Sequence, residues 1–328
     1  MTTGIQGRDR ARCTARRALL ACALLATSAA LHANDGTCTL DALTAPDLII
    51  EDARPVRFEK DITRKAMAHT AADPAPFRIK VRRAGRGVSS FNNEPRYELA
   101  AYEVSRLLFP ADEQVVPAIA LRSAPLAQFR AIDPGAVEAW SGTDGTFYMV
   151  QCWLNGAKPH PLAIDTARFA ADPAYARAIS RLNVVTYLVE HKDSNLGNVM
   201  LTGEGAAVRA WAIDNGVAFD SEESDVGIFW KTLRVDAIDR ALADRLHALT
   251  LDELRARLGV IAQYERAGEA WEPRPPGANF DALRGVRRRG PQVQLGLTGK
   301  EIGAIERRRD RLVRRIDKGD IRILPDAS

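Results

Sequence analysis

The stretch His191-Lys192-Asp193-Ser194-Asn195-Leu196-Gly197-Asn198, with the apolar Val199-Met200-Leu201 behind it, decides how the chain is read. After Gly203-Glu204-Gly205 comes Trp211-Ala212-Ile213, which runs into Asp214-Asn215-Gly216. Two short apolar runs around a glycine-containing turn predict a hairpin, and the hairpin would set Asn198 beside Asp214. Phosphoryl transfer asks for positioned divalent metal, charge neutralisation and one group that orients or deprotonates the acceptor. Two hard carboxylates and an amide meet that demand. Each residue alone also fits a plain turn, since Asp and Asn cap turns and Asp-Asn-Gly is a good turn sequence. His191 reads as a buried support for the loop. Type, order, spacing and flanking apolar runs agree only for the set.

Upstream, Phe77-Arg78-Ile79-Lys80-Val81 alternates as a half-buried strand, with Phe77, Ile79 and Val81 on one face and Arg78 and Lys80 on the other. Residues 96–109 carry Ala100, Val104, Leu107 and Leu108 at helical spacing, with Pro95 at the first turn and Pro110 at the end. Residues 48–50, 56–62, 115–122 and 146–154 read as further strands, the last bounded by Asn155-Gly156. From there the chain reads as mainly helical. Residues 173–190 form one long candidate helix, 237–258 hold two more, and 298–316 starts with a Thr298/Glu301 capping box. The order is that of a two-lobed α+β arrangement.

The Asp193-to-Asn198 spacing resembles the protein-kinase catalytic loop, and Asp214 stands where the Asp of D-F-G does. Lys80, preceded by Ile79, resembles the V-A-I-K lysine. Tyr97-Glu98-Leu99-Ala100-Ala101-Tyr102, with Arg106-Leu107-Leu108 and Val116-Pro117, resembles a segment of the secretory-pathway (Golgi casein kinase) family. Residues 193–198 and 213–219 resemble both that family and bacterial relatives of the phosphoinositide 3- and 4-kinases. They also look like the corresponding motif of aminoglycoside and choline phosphotransferases. The resemblance implies a bilobal protein-kinase-like fold. Its small N-lobe, 34–154, would hold an antiparallel sheet and one helix, and its larger, mainly helical C-lobe, 155–328, the catalytic and metal-binding loops. It implies ATP with Mg²⁺ or Mn²⁺ as cofactors. Lys80 would contact nucleotide phosphates with Glu98 as its ion-pair partner, ahead of Glu94 and Glu103; Gln151 would fall in the adenine-contacting hinge. Asp193 would be the base, and Asn198 and Asp214 the metal ligands.

The acceptor implied is a protein or peptide hydroxyl, with a small-molecule or lipid phosphotransferase and an exported pseudokinase as alternatives. Three departures stand out. Residues 60–71 contain no glycine, Ser194 and Asn195 follow the candidate base, and Arg78 takes a place usually small and apolar.

The first segment has the plan of a signal peptide, 1–33. Arg8, Arg10, Arg12, Arg16 and Arg17 precede an apolar run, 18–30, that is short for a membrane span, and Ala33 offers a cleavage point. The formal charge of the whole chain is +4, from 46 Lys+Arg and 42 Asp+Glu. Removing 1–33 takes five arginines and Asp9, leaving 41 of each sign and no net charge. The basic balance therefore belongs to the targeting segment and gives no ground for nucleic-acid binding. The arginine-rich stretch 284–289 reads as a solvated loop. An exported, periplasmic or secreted chain with no membrane span after cleavage is expected. Cys13 and Cys22 leave with the signal, and Cys38 and Cys152 are expected to pair in an oxidising compartment, two separate thiols being the other reading.

Overall fold

The computed structural model describes Met1 and residues 36–56, 62–90, 93–161, 163–193, 195–221 and 229–325. The expected signal peptide, apart from Met1, and Ser194 lie outside these residues. The chain is mixed α+β with antiparallel sheets. Strands β1 (Ile49–Pro55), β2 (Thr63–His69), β3 (Phe77–Arg83), β4 (Ile119–Pro125) and β5 (Gly145–Cys152) form one antiparallel sheet in the order β1-β2-β3-β5-β4.

The second strand begins at Thr63, not within 56–62 as expected; of that range, 57–61 lie outside the described residues. Its buried positions are Thr63, Ala66 and Ala68, set between Arg64, Lys65 and His69. Small side chains leave little hydropathy contrast, so the period-2 signal was weak there.

β3 obeys its alternation. Phe77, Ile79 and Val81 pack with Leu43, Phe129 and Tyr148 on the outer face of the sheet, covered by the short helices α1 (Leu40–Thr44) and α3 (Leu126–Phe129). Arg78, Lys80 and Arg82 take the inner face, while Arg83, of the same parity as Val81, pairs with Asp133. The disulfide Cys38–Cys152 joins the segment before α1 to the end of β5, across 114 positions of sequence. A covalent closure of that length restricts the unfolded chain strongly. The double variant Cys38→Ser/Cys152→Ser is expected to lose about 2–4 kcal/mol of stability in denaturant titration. An unchanged midpoint would show that the bond constrains nothing.

Between β3 and β4 runs α2 (Pro95–Leu108), with Pro95 at its first position. Tyr97, Leu99, Ala100, Ala101, Val104 and Leu107 are all buried, because α2 lies between β4 and the helices that follow. Those helices are α4 (Thr166–Ala171), α5 (Pro173–Val189), α6 (Arg240–Ala248), α7 (Leu251–Leu258) and α8 (Gly299–Asp317). The capping box of α8 forms as its sequence implies, and Glu301 does more. Arg96 donates from Nη1 to both its carboxylate oxygens, at 3.0 and 2.9 Å, and the Tyr97 hydroxyl donates at 2.6 Å. Burial alone would raise the Glu301 pKa, but Arg96 outweighs it and holds the carboxyl below its ordinary range. The start of α2 is thereby tied to the start of α8.

The second half is less helical than expected. β6 (Lys158–Pro159), β7 (Val199–Thr202) and β8 (Arg209–Ala212) form a small antiparallel sheet, and β9 (Ala237–Ile238) pairs in parallel with β14 (Arg322–Ile323). Residues 262–295 fold as β10 (Ala262–Ala267), β11 (Ala270–Arg274), β12 (Val286–Arg289) and β13 (Gln292–Leu295), in the order β11-β10-β13-β12. This sheet docks on β4: the Tyr264 hydroxyl donates to the Leu121 carbonyl at 2.5 Å, and the Trp271 N–H to Ser123 Oγ at 2.9 Å.

The arginine stretch is therefore not a solvated loop throughout. Arg287 is buried in β12 and donates to the carbonyls of Asp281, Gly259 and Leu297, three acceptors that only the folded chain assembles. Among the described residues, no helix is long and apolar enough to cross a membrane.

Candidate active site

The site is built where α5 ends and the β7–β8 hairpin closes. α5 stops at Glu190, which turns into the left-handed region at φ 55°, and the chain then runs beside residues 213–219. The Lys192 N–H donates to the Val217 carbonyl at 2.9 Å, and the Phe219 N–H to the Val189 carbonyl at 2.7 Å. His191 is fully buried and its Nε2–H donates to the Ile213 carbonyl at 3.0 Å. It therefore supports the loop, as its sequence position implied.

Asp193 is oriented by two amides. Asn195 Nδ2 donates to its Oδ1 at 3.0 Å, while Asn198 Nδ2 donates to its Oδ2 at 3.0 Å and to its main-chain carbonyl at 2.7 Å. The carbonyl contact fixes which end of the Asn198 amide is nitrogen, so Asn198 Oδ1 points elsewhere. In the hairpin Val199 pairs with Ala212, and the Ile213 N–H donates to the Asn198 carbonyl at 3.0 Å. One residue beyond the last strand pair, Asn198 is thus bonded to Ile213, the residue before Asp214.

Asp214 itself adopts φ 55°, a conformation that short polar side chains tolerate better than most. The turn after it presses on the start of α2. A Cβ on Gly216 would lie 2.8 Å from the Asn93 Cα, so glycine is needed for that approach.

Lys80 pairs with Asp214 Oδ1, and Arg82 Nη2 reaches the same oxygen at 2.7 Å. This corrects the expected partnership of Lys80 with Glu98. Glu98, only 1% exposed, instead takes Arg82 Nη1 at 3.3 Å and the Asn215 N–H at 3.1 Å. Arg82 is itself 5% exposed and also donates to Thr63 Oγ1 at 3.1 Å and Asn93 Oδ1 at 2.5 Å. The competing carboxylates lie elsewhere: Glu94 precedes α2 and accepts from the Ser89 hydroxyl, and Glu103 pairs with Arg106 and Arg257.

Arg82 was not foreseen as a site residue. The signal was available: Arg78, Lys80 and Arg82 share one face of a strand by the period of two. Arg82 is the residue through which the sheet holds α2 and the Asp214 turn together.

Gln151 falls within the strand expected over 146–154. It lies inside β5, opposite Lys80 on one side and Ile119 on the other. It is 4% exposed, and its amide nitrogen has no hydrogen-bond partner among the described residues. With Lys80, Arg82, Glu98, Ile119 and Met149 it lines a small cavity of about 10 Å³.

Burial works to raise the Asp214 pKa, but the charges of Lys80 and Arg82 overcome it and hold the carboxyl well below the usual range. The four buried or half-buried charges Lys80, Arg82, Glu98 and Asp214 balance. Of the two residues expected to hold a metal, the oxygens without a hydrogen bond among the described residues are Asp214 Oδ2 and Asn198 Oδ1. One carboxylate and one amide oxygen, completed by phosphate oxygens and water, suit Mg²⁺ or Mn²⁺, so the residues present fit that ion. Compared with known protein families and with curated proteins, the chain matches none.

Proposed function

We propose that this protein is an exported, ATP- and metal-dependent phosphotransferase of the protein-kinase type, acting on hydroxyl groups of proteins or peptides. The observation that carries the reading is a single connected set: Asp193 bonded to Asn198, Asn198 tied through Ile213 to the Asp214 turn, and Asp214 paired with Lys80. Export is supported by the 1–33 leader pattern and by the disulfide, a bond typical of oxidising compartments.

In this reading Asp193 accepts the proton of the acceptor hydroxyl as its oxygen attacks the terminal phosphorus of ATP and ADP leaves. The bonds from Asn195 and Asn198 orient the Asp193 carboxylate for that role. Lys80 lies beside the metal-binding carboxylate, where it would meet phosphate oxygens. Asp214 Oδ2 and Asn198 Oδ1 would hold the metal, which when bound neutralises charge on the phosphate oxygens.

A second reading, a binding module that holds nucleotide without transfer, is favoured by one fact. Lys80 and Arg82 converge on the same Asp214 oxygen, a self-neutralised arrangement that needs no ligand.

The test is labelled ATP with Mg²⁺ or Mn²⁺ and the purified protein, beside Asp193→Asn. Loss of a positioned general base is expected to slow transfer about 10²–10⁴-fold while ATP affinity holds. Equal label in both proteins would remove Asp193 from the chemistry. ATP binding with no transfer by either would favour the binding module.

A further inference from the structure

The inner face of the large sheet carries an unusual register. Arg54 of β1 lies directly opposite Lys65 of β2, and Lys65 directly opposite Lys80 of β3. Three cations thus stand in one row across three strands, and Gln151 of β5, with its unpartnered buried amide nitrogen, extends it. Arg78 lies on the same face, two pairs along, opposite Met67. Like charges directly opposed across strands disfavour the pairing, although Arg54, Lys65 and Arg78 are exposed and solvent screens part of the repulsion.

For Lys80 the compensation is Asp214. For Arg54 and Arg78 there is none among the described residues; Lys65, which like them makes no ion pair or side-chain hydrogen bond there, has the face of the Trp153 ring. All three line a groove of about 510 Å³ against the ring of Trp153, with Lys65 Nζ 4.5 Å from the ring centroid. Asp52 lines the groove as well, without pairing to any of them. The volume lies in the range of small-molecule sites. In glycine-rich phosphate loops, backbone N–H groups do the binding. Here the β1–β2 connection, residues 56–62, contains no glycine.

We infer that this cross-strand row is an anion site for a triphosphate chain, in which the side-chain charges of Lys65, Arg54 and Arg78 take the part a glycine-rich loop plays elsewhere. The inference rests on the phosphotransferase reading for its choice of ATP as ligand, but the phosphate chemistry is shared by a nucleotide and by free inorganic tripolyphosphate. The chain of phosphates would lie along the row toward Lys80, whose strand neighbour Lys65 it would neutralise. Unlike a backbone cradle, such a site depends on side chains that can be removed singly and is weakened by salt.

The experiment is calorimetric titration of the purified protein, with Mg²⁺ present, using ATP and inorganic tripolyphosphate as separate probes. Wild type is compared with Lys65→Met and Arg78→Gln, and thermal midpoints are recorded without ligand. Each substitution is expected to weaken binding of both probes about tenfold or more, the scale of one charge-assisted hydrogen bond. The unliganded midpoint is expected to stay or rise, since a repulsion is relieved; a structural role for either side chain would lower it.

Variants that bind both probes as tightly as wild type would overturn the site. They would leave the phosphotransferase reading standing wherever ATP is still bound. Tripolyphosphate bound through Lys65 with no binding of ATP supports the row and removes ATP as its ligand. No binding of either probe by wild type overturns both the row and the nucleotide reading.

Discussion

Replacing Asp214 by alanine is expected to lower phosphoryl transfer by about 10²–10³-fold or more, the scale seen when one fixed electrostatic partner of the transition state is lost. The carboxylate has two separate tasks. Oδ1 holds Lys80 and Arg82, and on the proposed reading Oδ2 would hold the metal. Alanine removes both, so metal-dependent ATP binding should fall together with transfer. Asp193→Asn should separate them. A transfer assay and an ATP titration on Asp214→Ala decide the matter, and transfer at the wild-type rate would take Asp214 out of the site.

The pH dependence follows from the same pairing. Asp214 has its carboxyl held below the ordinary range in the folded protein, so it binds fewer protons there than in the unfolded chain. Its contribution to stability is complete above the unfolded carboxylate value, about 4, and fades as pH falls from there through the depressed folded value. Its side chain is 31% exposed, so the size of that contribution is moderated by solvent.

The second large effect is expected at Arg82. Arg82→Met should destabilise the protein by about 3–5 kcal/mol, because it strips the cation from Glu98, an almost fully buried carboxylate. Asn215 still donates its N–H to Glu98, but that single bond does not replace a charge. Arg82→Lys should recover only part of the loss. The guanidinium reaches Thr63, Asn93, Glu98 and Asp214 at once with donors held in a fixed fork, and an ammonium offers three donors at one point. Urea titration reads the effect as a lower midpoint with an unchanged slope. A wild-type midpoint in Arg82→Met would show that the cluster is held by something other than this cation.

Both variants act on a junction that joins the sheet, α2 and the Asp214 turn, and the two halves of that junction differ in how far they were foreseeable. Asp193, Asn198 and Asp214 are near one another in the chain. A hairpin of two apolar runs is enough to bring them together, and the hydrogen bonds that hold the two segments span at most 30 positions. The partnership of Glu98 is not local. Lys80 and Arg82 share a strand face, and nothing in their spacing says which of them meets α2 and which meets Asp214. That depends on where α2 crosses the sheet, and α2 is placed by its own buried face and by the clamp of Arg96 and Tyr97 on Glu301, over 200 positions away.

Gln151 lies in β5, within the strand expected over 146–154, and what the sequence could not show is that register sets it opposite Lys80. The strands of residues 262–295 were hidden by composition, since Arg287 counts as a surface residue until three carbonyls from distant segments surround it.

Local pattern therefore reached the α+β class, the alternation of β3, α2 with Pro95 at its start, the capping box of α8 and the Asp193–Asn198–Asp214 neighbourhood. All of these depend on periodicity, caps or short loops, whose physics is contained within a few residues. The pairing of Cys38 with Cys152 was expected from compartment alone and needed the fold to bring the two together. Only the tertiary structure decided that Arg82 serves Glu98, that Lys80 serves Asp214, and that Arg54, Lys65 and Lys80 stand in one row. Strand register and helix placement assign partners to charges, and those are set by packing across the whole chain.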